Sequence, residues 1–216
     1  MKKCLFVFII LIIGTVSCQK GITDSIDSSN NGGDNNGGNG SDSSNSIIGT
    51  WDFIKLNAQT QITNESDISG ISAKIVAVMG YTSINNSGTI TFDASNMTAT
   101  GLTYGVDANI TTYTYQNNLF QDSLIQATSF ELPATTSTVN YKMITSDSLY
   151  FPEGGFTVQT STPTVQSAPS GGRISFSGDT LILNQNLAFD STSTANGIVS
   201  HITGNVMANI FMKKHQ

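Results

Sequence analysis

Apolar and polar residues alternate with a period of two in short runs along most of the chain from Gly88 onward, and turn residues separate the runs. Such alternation is typical of strands that bury one face. No long helical pattern comes between the runs. We therefore predict an all-β domain of antiparallel strands connected as a meander, and not an α/β fold.

Several pairs of runs flank short turn sequences, as β-hairpins do. The pairs are Thr89–Phe92 with Met97–Thr100, Val139–Ile144 with Leu149–Phe151, and Arg173–Ser177 with Thr180–Leu183. Gly178 at the first central position of the third turn predicts type II′. Asn196-Gly197 predicts another turn before a last strand over Asn205–Met212, in which Val206, Ala208, Ile210 and Met212 share one face.

One stretch has helical spacing instead, with apolar residues at Ile68, Ile71, Ile75 and Val78 or Met79. Ser66 or Asp67 is a suitable N-cap and Gly80 a suitable end. The pattern predicts a short helix over 67–80 that packs on one end of the sheet. A lid or a helix on a membrane surface is the alternative, but Lys74 is the only cation on its polar face, and membrane-surface helices are rich in cations.

The folded body begins at Ile47–Leu56. An extended backbone there places Gly49, Trp51 and Phe53 on one face and Ile48, Ile54 and Leu56 on the other. The pattern predicts a strand that is covered on both sides. Thr160–Gly172 is too polar and too broken for a strand, so we predict a long loop, either a rim or lid or an insertion without a role.

The N-terminus has Lys2 and Lys3, an apolar run from Leu5 to Ile13 and then small or β-branched residues up to Ser17. This run is about half as long as a transmembrane helix needs, so it predicts an export signal. Thr15-Val16-Ser17-Cys18 resembles the lipobox of bacterial lipoproteins, with Thr15 where the pattern usually has Leu. The resemblance implies cleavage after a signal peptide 1–17 and lipidation of Cys18.

Residues 18–46 are almost all Gly, Ser, Asn and Asp after the cysteine. Such a composition cannot bury enough apolar surface to fold, so we predict a flexible tether with a span of roughly 30 Å. We do not predict a calcium-binding loop starting at Asp27, because its last ligand position is occupied by Gly38 and not by glutamate.

Gly49-x-Trp51 on the first strand, the antiparallel runs, the hairpin 173–183 and the basic end with Lys213 and Lys214 together resemble the lipocalin-like (calycin) domains of lipoproteins from Bacteroidetes-type bacteria. The resemblance implies an up-and-down barrel of roughly eight strands over 47–216, with Gly49 and Trp51 as structural residues. It also implies a cation packed over Trp51 and a small apolar ligand in the interior.

Composition excludes several functions. The chain has 9 basic and 15 acidic residues and a net charge of −6, which disfavours binding to nucleic acid. Cys4 and Cys18 both precede the domain, so the domain has no thiol for a disulfide, a zinc site or catalysis. The histidines are His201, expected in a loop or strand, and His215, expected to fray. We predict no catalytic residue, no metal site and no cofactor.

Two functions stay open. The first is a binding module that is anchored through Cys18 in the cell envelope, at the outer membrane, and holds a small apolar ligand. The second is a non-catalytic structural or interaction β-sandwich of the envelope, which predicts no cavity and a first and last strand that do not pair. An enzyme, such as a hydrolase acting through two carboxylates, ranks third because nothing in the sequence singles out a pair.

Overall fold

A computed structural model describes residues 46–155, 169–195 and 197–216. They form ten β-strands: β1 Gly49–Ile68, β2 Ile71–Thr82, β3 Ile84–Phe92, β4 Asn96–Gln116, β5 Leu119–Asn140, β6 Lys142–Thr145, β7 Ser148–Phe151, β8 Ser170–Ser177, β9 Thr180–Ala195 and β10 Ile198–Lys214. The all-β, antiparallel prediction is confirmed. The leader, Cys18 and the tether up to residue 45 lie outside the described residues.

All ten strands belong to one sheet. The pairing runs from β5 through β4 to β2 and β3, then through β1, β10, β9, β8 and β7 to β6. β2 and β3 share the place between β1 and β4: β2 pairs with the distal part of β1 and β3 with its beginning. The first and last long strands, β1 and β10, pair from Trp51–Lys214 to Ser66–Ser200. The predicted number of about eight strands is therefore too low.

The helix predicted over 67–80 is wrong. Ser69 and Gly70 have φ values of +56° and +81°, as both central residues of a type I′ turn require, and the turn joins β1 to β2. Asp67 Oδ1 accepts a hydrogen bond of 2.8 Å from the Gly70 amide. The apolar spacing fits a strand equally well, since Ile71, Ala73, Ile75 and Ala77 are two residues apart and therefore share one face. No helix long and apolar enough to span a bilayer occurs in the described residues.

The predicted hairpins are present. Asp93 Oδ1 accepts from the amides of Ser95 and Asn96 in the β3–β4 turn, and these bonds hold the pKa of Asp93 below its ordinary value. Gly178 has a φ of +61° between β8 and β9.

Three predicted boundaries shift. Val139 ends up in β5 and not in β6. The last strand starts at Ile198, earlier than predicted. Gly171 and Gly172, assigned to the loop, pair with both β7 and β9, while residues 156–168 lie outside the described part.

A β-bulge in β1 corrects the prediction of a strand covered on both faces. Phe53 is paired with Met212 and Lys55 with Phe211, so Ile54 is the extra residue. The bulge brings Leu56 to the same side as Trp51 and Phe53, and all three are buried. Ile48 and Ile54 are exposed instead. We call the side that carries Trp51, Phe53, Leu56 and Ala58 the core face and the opposite side the outer face.

The core lies on the core face of the strand halves nearest Trp51. Tyr141, between β5 and β6, contacts the rings of Phe92 in β3 and Phe151 in β7 at centroid distances of 5.8 and 6.4 Å, so it links these two strands through side chains. Its hydroxyl donates to the Asp93 carbonyl at 2.5 Å. The distal halves of β1, β2, β4, β5, β9 and β10 extend beyond this core, and their side chains are half-buried or exposed.

Trp51 is held by a hydrogen bond, an aromatic neighbour and a cation. Its indole Nε1 donates to the Ile47 carbonyl at 2.8 Å, and Phe176 packs beside the ring. Lys214 Nζ lies 4.5 Å from the ring centroid and donates to the Ile48 carbonyl. Gly49 leaves room for this lysine, since a Cβ there would come within 2.5 Å of Nζ. Of the two candidate lysines, Lys214 is the cation over Trp51.

Replacing Trp51 with alanine should destabilise the full chain by about 3–5 kcal/mol, because it empties a site that is 3% exposed and removes one buried hydrogen bond. Ile54→Ala, which truncates a 37%-exposed side chain on the bulge of the same strand, should change stability by less than about 1 kcal/mol. Urea unfolding midpoints would measure both. Equal losses in the two variants would contradict this account of the core.

Candidate functional site

A small pocket of about 30 Å³ lies at the distal edge of the core, where the sheet curls over its core face. The strands β1, β2, β4, β9 and β10 supply its walls. Its lining is Phe53, Leu56, Ala58, Tyr81, Leu102, Tyr104, Gln185, Leu187, Val206, Ala208 and Ile210. Side chains fill most of the interior, so the pocket has room for a water molecule or a polar group of similar size, and not for a whole ligand.

Two buried side chains leave polar atoms without partners at this pocket. Gln185 is 4% exposed, and neither its Nε2 nor its Oε1 makes a hydrogen bond. Tyr104 is 1% exposed, and its hydroxyl faces the Tyr81 phenol without forming a hydrogen bond of standard geometry. A buried polar group without a partner costs about 1–3 kcal/mol, and most such groups in proteins have one. Both residues are therefore available to a bound polar group.

The sheet register places Gln185 and Tyr104 in this position. Gln185 pairs with Ala208 on one side and with Gly172 on the other, so its side chain projects from the core face between two small neighbours. Gly155 lies against its carboxamide, where a Cβ would come within 2.1 Å of Nε2. Tyr104 packs against Phe53 at a centroid distance of 6.0 Å. Small residues thus make the space that the carboxamide occupies.

The pocket is electrically neutral. No charged side chain is among its lining residues. Burial raises the pKa of Tyr104, and the neighbouring Tyr81 phenol raises it further. Burial also raises the pKa of Tyr81, an effect that the Tyr104 phenol partly offsets. Both phenols are therefore neutral at physiological pH, and an ion entering this pocket would meet no opposite charge.

The chemistry available is hydrogen bonding. A carboxamide donates and accepts, and a phenol does both as well. The lining contains no histidine, cysteine or carboxylate, so it offers no nucleophile with a base. The pocket can hold a neutral hydroxyl, carbonyl or amide group while its apolar walls contact the carbon atoms attached to it.

The predicted site residues lie elsewhere. Cys18, the lipidation candidate, is outside the described residues. Gly49 and Trp51 lie at the start of β1 and do not line the pocket. No group of three His, Cys, Asp or Glu side chains suited to a metal occurs in the part of the chain that the structure describes.

Both histidines form hydrogen bonds with aspartates on the outer face. His201, in β10, lies 2.7 Å from Asp190, and His215 lies 2.6 Å from Asp52. The expectation that His215 frays is wrong, because its amide also donates to the Thr50 carbonyl at 3.1 Å. Neither histidine is near the pocket.

Sequence reasoning missed Gln185 and Tyr104. A signal for Gln185 was available, because it interrupts the apolar positions Leu181, Leu183 and Leu187 at strand spacing. A lone polar residue in a buried register is unusual and needs a partner. Tyr104 carried no such signal, since tyrosine is a common strand residue.

No protein-family model matches the chain, and no curated protein matches it. Among solved structures, a similarity appears to Ail, the attachment invasion locus protein of Yersinia pestis, in complex with the heparin analogue sucrose octasulfate. The identity is 8%, the match covers 76% of this chain and 99% of that chain, and the TM-score is 0.18. A TM-score this low carries no argument about fold or function.

Stability should decrease at alkaline pH. Because burial raises the pKa of Tyr104 and Tyr81, the stabilisation from keeping these phenols neutral is complete below about pH 10, the ordinary tyrosine pKa, and is lost as the pH rises above it. Each such tyrosine should lower the free energy of unfolding by about 1.4 kcal/mol per pH unit there. Tyr104→Phe should remove one such contribution. Urea unfolding between pH 8 and pH 11 would measure it, and an unchanged slope would contradict the assignment.

Proposed function

We propose that this protein is a lipid-anchored binding module of the cell envelope with a lipocalin-like domain, and that it takes a small, largely apolar molecule bearing one neutral polar group. The observation that carries the proposal is the buried Gln185 carboxamide, which has no hydrogen-bond partner within apolar walls and lies at the same pocket as the Tyr104 hydroxyl. A polar group of the ligand satisfies them, and this restores hydrogen bonds that the free protein lacks.

The apolar part of the ligand lies along the core face beyond the pocket. Val206 and Leu187 form its edge, and Met79, Ile110 and Phe189 continue the apolar surface along the distal strands. These side chains are only partly buried, so covering them stabilises the complex by roughly 25 cal/mol per Å² of apolar surface. A pocket of about 30 Å³ then holds only the polar end.

Two further features support the lipocalin-like assignment. The first and last strands pair, which an interaction sandwich with separate sheets does not require. Trp51 carries a cation from the last strand, in the place where the resemblance implies one. The proposed architecture is a sheet that curls around an interior, with the Tyr141 ring packed against Phe92 and Phe151. We propose no catalytic role for the domain.

Membrane attachment is proposed through Cys18. A sulfur nucleophile is needed to form the thioether of a lipoprotein, and two or more acyl chains anchor durably where one does not. With a tether span of roughly 30 Å, the domain stands clear of the bilayer. The outer membrane is the proposed location.

Cys18→Ala should release the protein from the membrane fraction, because alanine has no sulfur to acylate. Fractionation of producing cells, with immunoblotting of membrane and soluble fractions, would measure it. Cys4→Ala, within the proposed leader, is the matched control and should leave the distribution unchanged. Membrane retention of Cys18→Ala would contradict lipid anchoring while leaving the proposed ligand site untouched.

A long-chain alcohol and the primary amide of equal length should bind the full chain more tightly than the matching carboxylate, by roughly tenfold or more, because no cation lines the pocket to offset a buried charge. Gln185→Leu should weaken the alcohol and the amide and remove the preference. Gln126→Leu, on the exposed surface of β5, is the control. Native mass spectrometry with tryptophan fluorescence would measure binding.

Equal binding of the three compounds, or binding of none, would contradict the proposed polar contact. In the second case Gln185 and Tyr104 serve only to hold an interior water. The interaction role described next would then be the better account of the domain.

A non-catalytic interaction module is the second candidate, and one observation favours it. The β5 edge of the sheet exposes Leu119, Phe120, Leu124 and Ile125 at 57–68% of their surfaces. Between Leu119 and Phe130 it carries one charged residue, Asp122. Natural edge strands usually have charges or prolines that block pairing with other chains. An exposed apolar edge with only one charge between residues 119 and 130 is therefore suited to contact with another protein.

A further inference from the structure

A larger, open depression of about 450 Å³ lies on the outer face of the sheet, and the side chains that line it are mostly exposed. It crosses β4, β2, β1 and β10. The residues that shape it are Gln59, Gln61, Gly80, Asn109, Asn205 and Met207. Its volume is in the range of small-molecule sites, roughly 300–1,000 Å³. We call it the amide groove.

The amide groove exists because the sheet is interrupted beneath it. The ladder between β2 and β4 ends at Met79–Ile110, and the ladder between β3 and β4 starts only at Ile84–Gly105. Ser83, where β2 passes into β3, is held instead against β1: its amide donates to the Leu56 carbonyl, and its hydroxyl accepts from the Leu56 amide at 2.7 Å. The chain is thereby drawn toward β1 and away from β4, which leaves the groove.

Gly80 deepens the groove. It pairs with Gln59 in β1, and its outer face has no side chain. A Cβ there would meet its nearest atoms, the Ala58 carbonyl oxygen and Gln59 Cγ, at 3.9 Å, which is ordinary contact distance. The backbone of Gly80 therefore tolerates a side chain, and the space above it is open. The groove floor at this point is bare backbone.

The lining is neutral and rich in carboxamides. Carboxamides come from four of the shaping residues, Gln59, Gln61, Asn109 and Asn205, and Val78 and Met207 add apolar surface. No lining residue is charged. The nearest outer-face position beyond Asn109 is Asp107, which is acidic and disfavours an anionic ligand. The groove therefore fits a neutral ligand with many hydroxyl groups and some apolar C–H surface.

We propose that the amide groove binds a neutral saccharide. A carboxamide donates through nitrogen and accepts through oxygen, so each one can bridge two neighbouring sugar hydroxyls. Val78 and Met207 supply contact for the C–H faces of the ring. Nucleic acid and acidic glycans require cations that the groove lacks. A metal ion requires carboxylates or imidazoles, which the lining also lacks.

The groove and the proposed apolar ligand site lie on opposite faces of the sheet, and Met79, a core-face residue, borders both of them. Gln59 and Ala58 are consecutive residues of β1, so their side chains project to opposite faces of the sheet. Ala58 lines the pocket near Gln185, and Gln59 lines the groove. A variant that closes one site leaves the other in place.

The test uses the full chain and a panel of neutral oligosaccharides of glucose, mannose and galactose, with hyaluronan fragments as the charged comparator. Gly80→Val fills the groove with a residue that suits a strand, and it should weaken saccharide binding by roughly tenfold or more. Asn205→Ala should weaken it as well. Thr192→Val, on the outer face of β9 away from the groove, is the control. Isothermal titration calorimetry and amide chemical-shift changes would measure binding.

The expected result is binding of at least one neutral oligosaccharide at millimolar concentration or below, no binding of hyaluronan, and shifts at Gln61, Asn109 and Asn205 that Gly80→Val removes. Urea unfolding would show that Gly80→Val is folded, and Asn205→Ala provides a second test if it is not. Binding of none of the oligosaccharides, or binding that Gly80→Val and Asn205→Ala leave unchanged, would overturn the proposal. Unchanged binding of a long-chain alcohol by Gly80→Val would separate this result from the interior site.

Discussion

The structure depends on the hydrogen-bonded pairing of β1. One edge of this 20-residue strand is paired with β10, and the other is divided between β3 near its start and β2 along its distal part. Because β1 links both sets of neighbours, it fixes the register of the whole sheet. The bulge at Ile54 then decides which side chains face inward, since one inserted residue exchanges the two faces for everything that follows. Trp51, Phe53 and Leu56 share the core only because of it.

The hairpins could be predicted from the sequence because their signals are local. Asp93 and Gly178 are turn residues whose side chain or backbone freedom acts within a few positions. The helix prediction for 67–80 was wrong because the spacing of Ile68, Ile71 and Ile75 was assigned to a helix although this segment also fits a strand. The Ser69-Gly70 turn is the feature that decides for two strands. The bulge at Ile54 could not be predicted, because it depends on how β1 meets β10, a contact between residues far apart in the chain.

The two proposed sites share a cause and differ in chemistry. Both arise where strand pairing or side-chain pairing is incomplete: the carboxamide of Gln185 lacks a partner on the core face, and β2 and β4 separate on the outer face. Neither site has a charged lining residue, although the chain has a net charge of −6. Among the described acidic residues, Asp93 lies in a turn, and Asp52 lies on the outer face, where it forms a hydrogen bond with His215.

The entry of the chain into β1 has a mechanical consequence. A pull through the proposed tether would reach Gly49 and load β1 along its own axis, against the antiparallel β10 beside it. The hydrogen bonds between these strands are perpendicular to the pull, so they are strained together and not one after another. At this end of β1, Lys214 adds a hydrogen bond to the Ile48 carbonyl and a cation–π contact with the Trp51 ring. The pairing of β1 with β10 would therefore resist a force applied through the proposed attachment point.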